Sequence, residues 1–137
     1  MDNLPKKITI IGVGLIGGSI ALGLKMHLAS KITIVGLCND PKRAKLAQEK
    51  GLIDQAIFDL KNIPKTTGLV IIATPISSNL SILPQLSKIV ARNCLIVDVG
   101  STKEMVIKSV ESKFPNLHFI GTHPMAGNDL TGFENAD

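Results

Sequence analysis

The sequence has no tryptophan or tyrosine, only four phenylalanines, and only two cysteines among its 137 residues. One pair of cysteines cannot build the disulfide framework of a small secreted protein. Cys38 and Cys94 also form no CxxC motif and no Cys/His cluster, so we expect no metal site. A reducing cytoplasm is then the default location.

Charge of one sign is not concentrated in any segment. The 15 lysines and arginines outnumber the 11 acidic residues, which gives a net charge of +4, but they are scattered and are not interleaved with aromatic residues. We therefore expect no nucleic-acid partner, whereas an anionic small molecule is compatible with this charge.

An apolar segment of membrane-spanning length is also lacking. Residues 8–24, ITIIGVGLIGGSIALGL, carry no charge, but they fall short of a typical span and contain five glycines. No cleavage site of a signal peptide follows them. A strand, a tight turn and a helix explain the glycines better, so we expect a soluble protein without a membrane partner.

What the sequence does contain is isoleucine, leucine, valine and alanine in short runs that alternate with helical patterns. Strands are predicted at 7–12, 31–37, 68–74, 94–100 and 117–121, and helices at 19–28, 41–50, 78–91 and 102–113. Residues 52–67 are the least regular part. Continuous apolar strands separated by helices predict one α/β domain over 1–137, with a doubly wound, mostly parallel sheet covered by helices on both faces.

A glycine motif follows the first predicted strand. Gly12, Gly14 and Gly17 form GxGxxG, with Leu15 and Ile16 between the last two glycines, and the motif opens a helix. In this context the glycines allow a tight turn, a close approach of the backbone to a pyrophosphate, and close packing of helix on strand. A bare glycine-rich turn is the alternative, but the strand–glycine–helix order favours dinucleotide binding.

The end of the second strand bears on which dinucleotide is bound. An Asp or Glu expected there would contact the adenosine ribose, but Cys38 stands at that position and Asp40 is better explained as a helix N-cap. Without that carboxylate, Asn39, Lys42 and Arg43 become candidate donors to a 2′-phosphate, which favours NADP over NAD. The alternative is that Cys38 packs as a small apolar residue while Asp40 serves NAD.

Three further loops follow the third, fourth and fifth strands. They contain Thr74 and Pro75, then Ser101 and Lys103, then His123. Each loop alone has a structural explanation, such as a helix cap or a solvated histidine. Because parallel strands end at one edge of a sheet, the three loops together predict an active site there.

The segments GVGLIGGSIA, ATPIS, DVGSTK and GTHPMAGNDLTGFENA together resemble the prephenate/arogenate dehydrogenases of tyrosine biosynthesis, in their nucleotide-binding domain. The resemblance covers nearly the whole chain, and the THPMAG loop is its most specific part. It implies a Rossmann domain and oxidative decarboxylation of prephenate to 4-hydroxyphenylpyruvate, or of arogenate to tyrosine, with hydride transfer to NAD(P)⁺. It also implies that His123 accepts a hydrogen bond from the ring hydroxyl of the substrate and that Ser101 orients His123 and contacts substrate and cofactor.

The resemblance further implies a helical domain that follows the Rossmann domain, forms a homodimer and completes the substrate pocket. We therefore expect a domain of a longer protein, inactive on its own. Two other functions stay open: another dehydrogenase, of the β-hydroxyacid type, or an NAD(P)-binding module without catalysis.

Overall fold

The computed structural model describes residues 3–101, 103–124 and 132–135. Six strands are present in these ranges: β1 (Lys7–Ile11), β2 (Thr33–Leu37), β3 (Gln55–Ile57), β4 (Leu69–Ile72), β5 (Leu95–Asp98) and β6 (His118–Gly121). The α-helices are α1 (Leu15–Leu28), α2 (Pro41–Glu49), α3 (Ile76–Ile89) and α4 (Glu104–Lys113).

The described strands form one parallel sheet in the order β3-β2-β1-β4-β5-β6. The chain adds β2 and β3 on one side of β1 and then β4, β5 and β6 on the other side. The order of strand addition therefore reverses between β1 and β4. This is the doubly wound Rossmann topology, and the predicted fold class is confirmed. Ligands of such sheets bind at the carboxyl ends of the strands, beside this reversal.

Each face of the sheet buries one apolar cluster. On one face, Ile8, Ile10 and Ile34 pack with residues of α1 and α2. On the other face, Val70 and Ile96 pack with residues of α3 and α4. Because both faces are covered, the central strands β1, β2, β4 and β5 are mostly apolar, which is why their positions could be predicted.

The ends of α2 follow from local sequence. The side chain of Asp40 accepts a hydrogen bond from the Lys42 N–H at 2.9 Å, as expected of an N-cap followed by Pro41. Gly51 has a φ of +71°, and the Gly51 and Leu52 N–H groups bond to Gln48 and Ala47. This Schellman motif explains why the helix ends where a glycine allows the left-handed conformation.

Two predictions about the elements were wrong. Strand β3 was not predicted, because it has three residues, pairs with β2 at the edge of the described sheet and begins with the exposed Gln55. The first helix begins at Leu15 and not at residue 19, so Gly17 lies inside its first turn. Helix α3 contains Pro84 and continues past it to Ile89.

We predict that Leu83→Ala lowers the free energy of unfolding by about 2–5 kcal/mol, because Leu83 is fully buried between α3 and the sheet. Urea unfolding followed by circular dichroism measures the change. Met105→Ala is the control, since Met105 is 70% exposed, and its effect should stay within about 0.5 kcal/mol. Equal effects of the two substitutions would contradict the assigned core.

Candidate functional site

The loop between β1 and α1 has a conformation that requires glycine at its first position. Gly12 has a φ of +88°. A Cβ atom at Gly12 would lie 2.8 Å from Thr74 Cγ2 and 2.9 Å from the Ala73 carbonyl oxygen. Neither contact is sterically acceptable, so the chain can turn here only without a side chain.

The other two glycines of the motif differ from each other in their surroundings. A Cβ at Gly17 would collide with the carbonyl oxygen of Gly12, so Gly17 allows α1 to pack against the turn. A Cβ at Gly14 would meet no atom within 4 Å. Leu15 and Ile16 begin α1 directly after Gly14, and Ile16 is exposed. The three glycines therefore fit a pyrophosphate-binding loop. Gly12 allows the turn, Gly14 leaves room for a phosphate to approach the backbone, and Gly17 allows the helix to pack closely.

A cleft of about 360 Å³ lies beside this turn, at the carboxyl ends of β1, β2, β3 and β4. It brings together three of the predicted site residues, Gly12, Asn39 and Thr74. Its other lining residues are Ile11, Leu37, Phe58, Asp59, Leu60, Ser78 and Ile82. The sequence did not indicate Phe58 because it follows β3, the strand that was not predicted. When a strand is not predicted, the loop at its carboxyl end is not recognised as part of the site.

At the end of β2, Cys38 is 8% exposed and belongs to the core cluster on that face of the sheet. Burial raises the pKa of the Cys38 thiol, and the positive charge of Arg43 opposes this rise. Asn39 and Asp40 are exposed. Arg43 is already engaged, because its Nη2 lies 3.1 Å from Glu134 Oε2.

The loops after β5 and β6 are joined by Asp98, the last residue of β5, which is fully buried. Its Oδ1 accepts hydrogen bonds from Asn79 Nδ2 at 2.9 Å and from the Gly100 N–H at 2.8 Å. Its Oδ2 accepts one from Lys103 Nζ at 2.7 Å. The Asp98 carbonyl oxygen accepts bonds from the Thr122 N–H at 2.7 Å and from Thr122 Oγ1 at 2.9 Å.

The same network reaches the loop after β4. The Thr74 hydroxyl donates to Asn79 Oδ1 at 2.8 Å, and Asn79 in turn donates to Asp98. Pro75 is the N-cap residue of α3, which places the buried Asn79 in the first turn of that helix. The sequence analysis missed both Asn79 and Asp98. The available signal was a polar residue within each of two apolar segments, since a buried polar group needs a partner.

Ser101 and His123 lie at the expected edge, one just after Gly100 and the other directly after Thr122. Both are exposed, and within the described ranges neither side chain takes part in a hydrogen bond. The structure therefore brings their loops together through Asp98, and the role of Ser101 in orienting His123 stays a prediction. Thr102 and residues 125–127 of the THPMAG motif lie outside the described residues.

A second cleft of about 360 Å³ lies at the opposite edge of the sheet, beside the start of β6. It is lined by Arg92, Lys113 and His118 among others, and it is remote from the glycine turn. In the part of the chain that the structure covers, no His, Cys, Asp and Glu cluster could hold a metal ion. None of the helices described is long and apolar enough to cross a membrane.

Comparison with known proteins agrees with this geometry. Residues 20–137 match the family described as prephenate dehydrogenase, nucleotide-binding domain. The prephenate dehydrogenase of Bacillus subtilis is 36% identical over 146 aligned positions, which cover 99% of this chain and 39% of the relative. The chain thus spans well under half the length of that relative.

Solved structures also match nearly the whole of this chain and less than half of their own length. The prephenate dehydrogenase of A. aeolicus, in complex with hydroxyphenyl propionate and NAD⁺, superposes with a TM-score of 0.89 at 27% identity. That match covers 99% of this chain and 47% of the A. aeolicus chain. Synechocystis arogenate dehydrogenase gives a TM-score of 0.78 at 30% identity, over 96% of this chain and 45% of the other.

We predict that Asp98→Ala lowers the free energy of unfolding by about 3–5 kcal/mol, because the Lys103 ammonium loses its carboxylate and Asn79 loses its acceptor. The exposed Glu111→Ala is the control, with an expected change within about 0.5 kcal/mol. Thermal unfolding measures both variants. If Asp98→Ala unfolded like the control, the network would not be stabilising the edge.

Proposed function

The chain belongs to the nucleotide-binding domain family of prephenate dehydrogenases, and from this we propose that it binds NAD(P) for a dehydrogenase acting on prephenate or arogenate. The observation that carries the proposal is the glycine turn at the start of α1. Gly12 and Gly17 tolerate no side chain, whereas Gly14 borders open space. The packing of the turn does not require glycine at position 14, so the space beside it is available to a pyrophosphate.

We propose that the whole protein converts prephenate to 4-hydroxyphenylpyruvate, or arogenate to tyrosine, with loss of carbon dioxide. Support comes from the names of its relatives in Bacillus subtilis and Synechocystis and from the ligands bound to the A. aeolicus enzyme. Since these proteins are about twice as long or longer, we also propose that a further domain completes the substrate pocket and forms a homodimer. Residues 1–137 alone would then bind cofactor without turnover.

The proposed cofactor site extends from the glycine turn into the neighbouring cleft. The N–H groups at the start of α1 and its helix dipole favour phosphate at Gly14, Leu15 and Ile16. Asn39 and Thr74 line the cleft on the two sides of β1, and Phe58 gives it an apolar wall. Ser101 and Pro75 lie further along the same edge, towards the proposed reacting end.

The chemistry assigns separate tasks to the two remaining site residues. When bound, NAD(P)⁺ supplies the hydride acceptor. As hydride leaves the ring carbon that bears the hydroxyl group, positive charge builds on that carbon, and the neutral imidazole of His123 lowers the cost by taking the hydroxyl proton. Ser101 orients the substrate hydroxyl and the imidazole. Aromatisation of the ring then drives the loss of carbon dioxide, and no metal is needed.

The residues at the end of β2 give opposing indications about NAD and NADP. Cys38 provides no carboxylate to repel a 2′-phosphate, which favours NADP. The two charged residues nearby already have partners within the protein. Asp40 caps α2, and Arg43 is paired with Glu134. Cofactor choice therefore depends on which of these charges reaches the 2′ position. The reducing cytoplasm is the proposed location, since the buried Cys38 and Cys94 are both free thiols.

In the full-length protein, Gly14→Val should abolish binding of NAD(H) and NADP(H), because the added side chain fills the space proposed for the pyrophosphate. The fold should be unaffected, as no atom lies within 4 Å of the new Cβ. Gly23→Val is a matched control, since Gly23 in α1 also has free space around it. Isothermal titration calorimetry measures both variants. Normal cofactor affinity in Gly14→Val would exclude this turn as the binding site.

His123→Asn in the full-length protein should lower turnover by about a hundredfold or more, the usual contribution of one positioned base, with cofactor affinity unchanged. His118→Asn is the matched control, because His118 is an exposed histidine at the opposite end of β6. Reduced cofactor formed from prephenate and from arogenate is followed by absorbance. Equal turnover in the two variants would show that His123 is only a surface residue.

A further inference from the structure

The segment at 132–135 contacts the second strand–helix unit of the sheet, far from it in sequence. Phe133 is 3% exposed and packs in the core cluster that includes Ala44 and Ala47 of α2. The Arg43 guanidinium lies 5.5 Å from the centroid of the Phe133 ring, within cation–π distance. Glu134 follows Phe133 and forms the ion pair with Arg43. The buried ring therefore anchors an acidic residue beside Arg43.

Gly132 is necessary for this arrangement. Its φ is +88°, and a Cβ there would collide with the Glu134 carboxylate and lie 2.6 Å from Arg43 Nη2. The carboxylate thus folds back over a bare glycine backbone to reach the guanidinium. Any other residue at 132 would force the two charged groups to move.

Arg43 stands in the first turn of α2, the helix that follows β2, and a dinucleotide bound to this fold presents its adenosine ribose at the end of β2. Arg43 is close enough to Cys38 for its charge to oppose the effect of burial on the thiol pKa. Cys38 occupies the position at which this fold usually carries an Asp or Glu. Position 38 provides no carboxylate, whereas the Glu134 carboxylate is paired with Arg43 in the first turn of the next helix.

We propose that Glu134 is a specificity-determining residue that excludes the 2′-phosphate of NADP, so that the protein prefers NAD. This proposal rests on the proposed NAD(P) binding. A 2′-phosphate would have to displace Glu134 from Arg43 and then lie next to the displaced carboxylate. NAD has a 2′-hydroxyl in place of the phosphate, so it neither displaces Glu134 from Arg43 nor is repelled by the carboxylate. The preference is opposite to the one that Cys38 alone indicates.

The physical basis is competition of two anions for one guanidinium. Both Arg43 and Glu134 are partly exposed, with 48% and 41% of their side-chain surface accessible. An exposed ion pair contributes little to stability, so removing Glu134 should leave the fold intact. The Glu134 carboxylate repels a second anion at the same place, and repulsion of the wrong ligand is an effective source of specificity.

The test is calorimetric titration of the full-length protein with NAD⁺ and NADP⁺ separately. The wild type should bind NAD⁺ more tightly. In Glu134→Gln, the dissociation constant for NADP⁺ should fall on the order of tenfold while that for NAD⁺ changes little. Glu49→Gln is the matched control, because Glu49 pairs with Lys45 at 3.8 Å at the other end of α2. It should leave both constants unchanged.

A double variant shows whether Arg43 is the group that Glu134 occupies. When Arg43→Gln is added to Glu134→Gln, the gain in NADP⁺ affinity should disappear. If both cofactors bind and Glu134→Gln leaves their affinity ratio unchanged, or if the wild type prefers NADP⁺, the specificity role is wrong while the proposed function stands. If the wild type binds neither cofactor, the proposed function and this inference are both overturned.

Discussion

The buried carboxylate of Asp98 is the group on which the carboxyl edge of the sheet depends. It has no exposure to solvent, and the ammonium of Lys103, the amide of Asn79 and the backbone N–H of Gly100 compensate its charge. A buried charge is stable only when its hydrogen-bonding capacity is used, so these partners are held in place. The loop that carries Ser101 is fixed as a consequence.

Thr74 connects this network to the cofactor cleft. Its hydroxyl bonds to Asn79, its methyl group lies against the position where Gly12 can have no Cβ, and it lines the cleft beside the turn. The glycine turn and the proposed catalytic loops are therefore linked through one side chain at the reversal of strand order. In this architecture, a cofactor in the cleft would have its reacting end directed towards the loops that Asp98 joins.

Sequence patterns predicted the elements that are apolar throughout, and local signals predicted the ends of α2 at Asp40 and Gly51. They did not predict β3, because an edge strand of three residues has too little apolar content to be recognised. Asp98 was missed for a different reason: a carboxylate after an apolar strand reads as the start of a loop until its partners are known. The pairing of Arg43 with Glu134 spans 91 positions, and no local pattern encodes such a contact.

The most direct test is the stoichiometry of the proposed reaction, measured with the full-length protein. Prephenate labelled in its ring carboxylate is incubated with NAD⁺, and labelled carbon dioxide and NADH are measured in the same sample. We expect one carbon dioxide for each NADH, because hydride loss and decarboxylation together make the ring aromatic. NADH without carbon dioxide would indicate a dehydrogenase of another class. If neither labelled carbon dioxide nor reduced cofactor forms from prephenate or from arogenate, with NAD⁺ or with NADP⁺, the assignment of this chain to a dehydrogenase of tyrosine biosynthesis is contradicted.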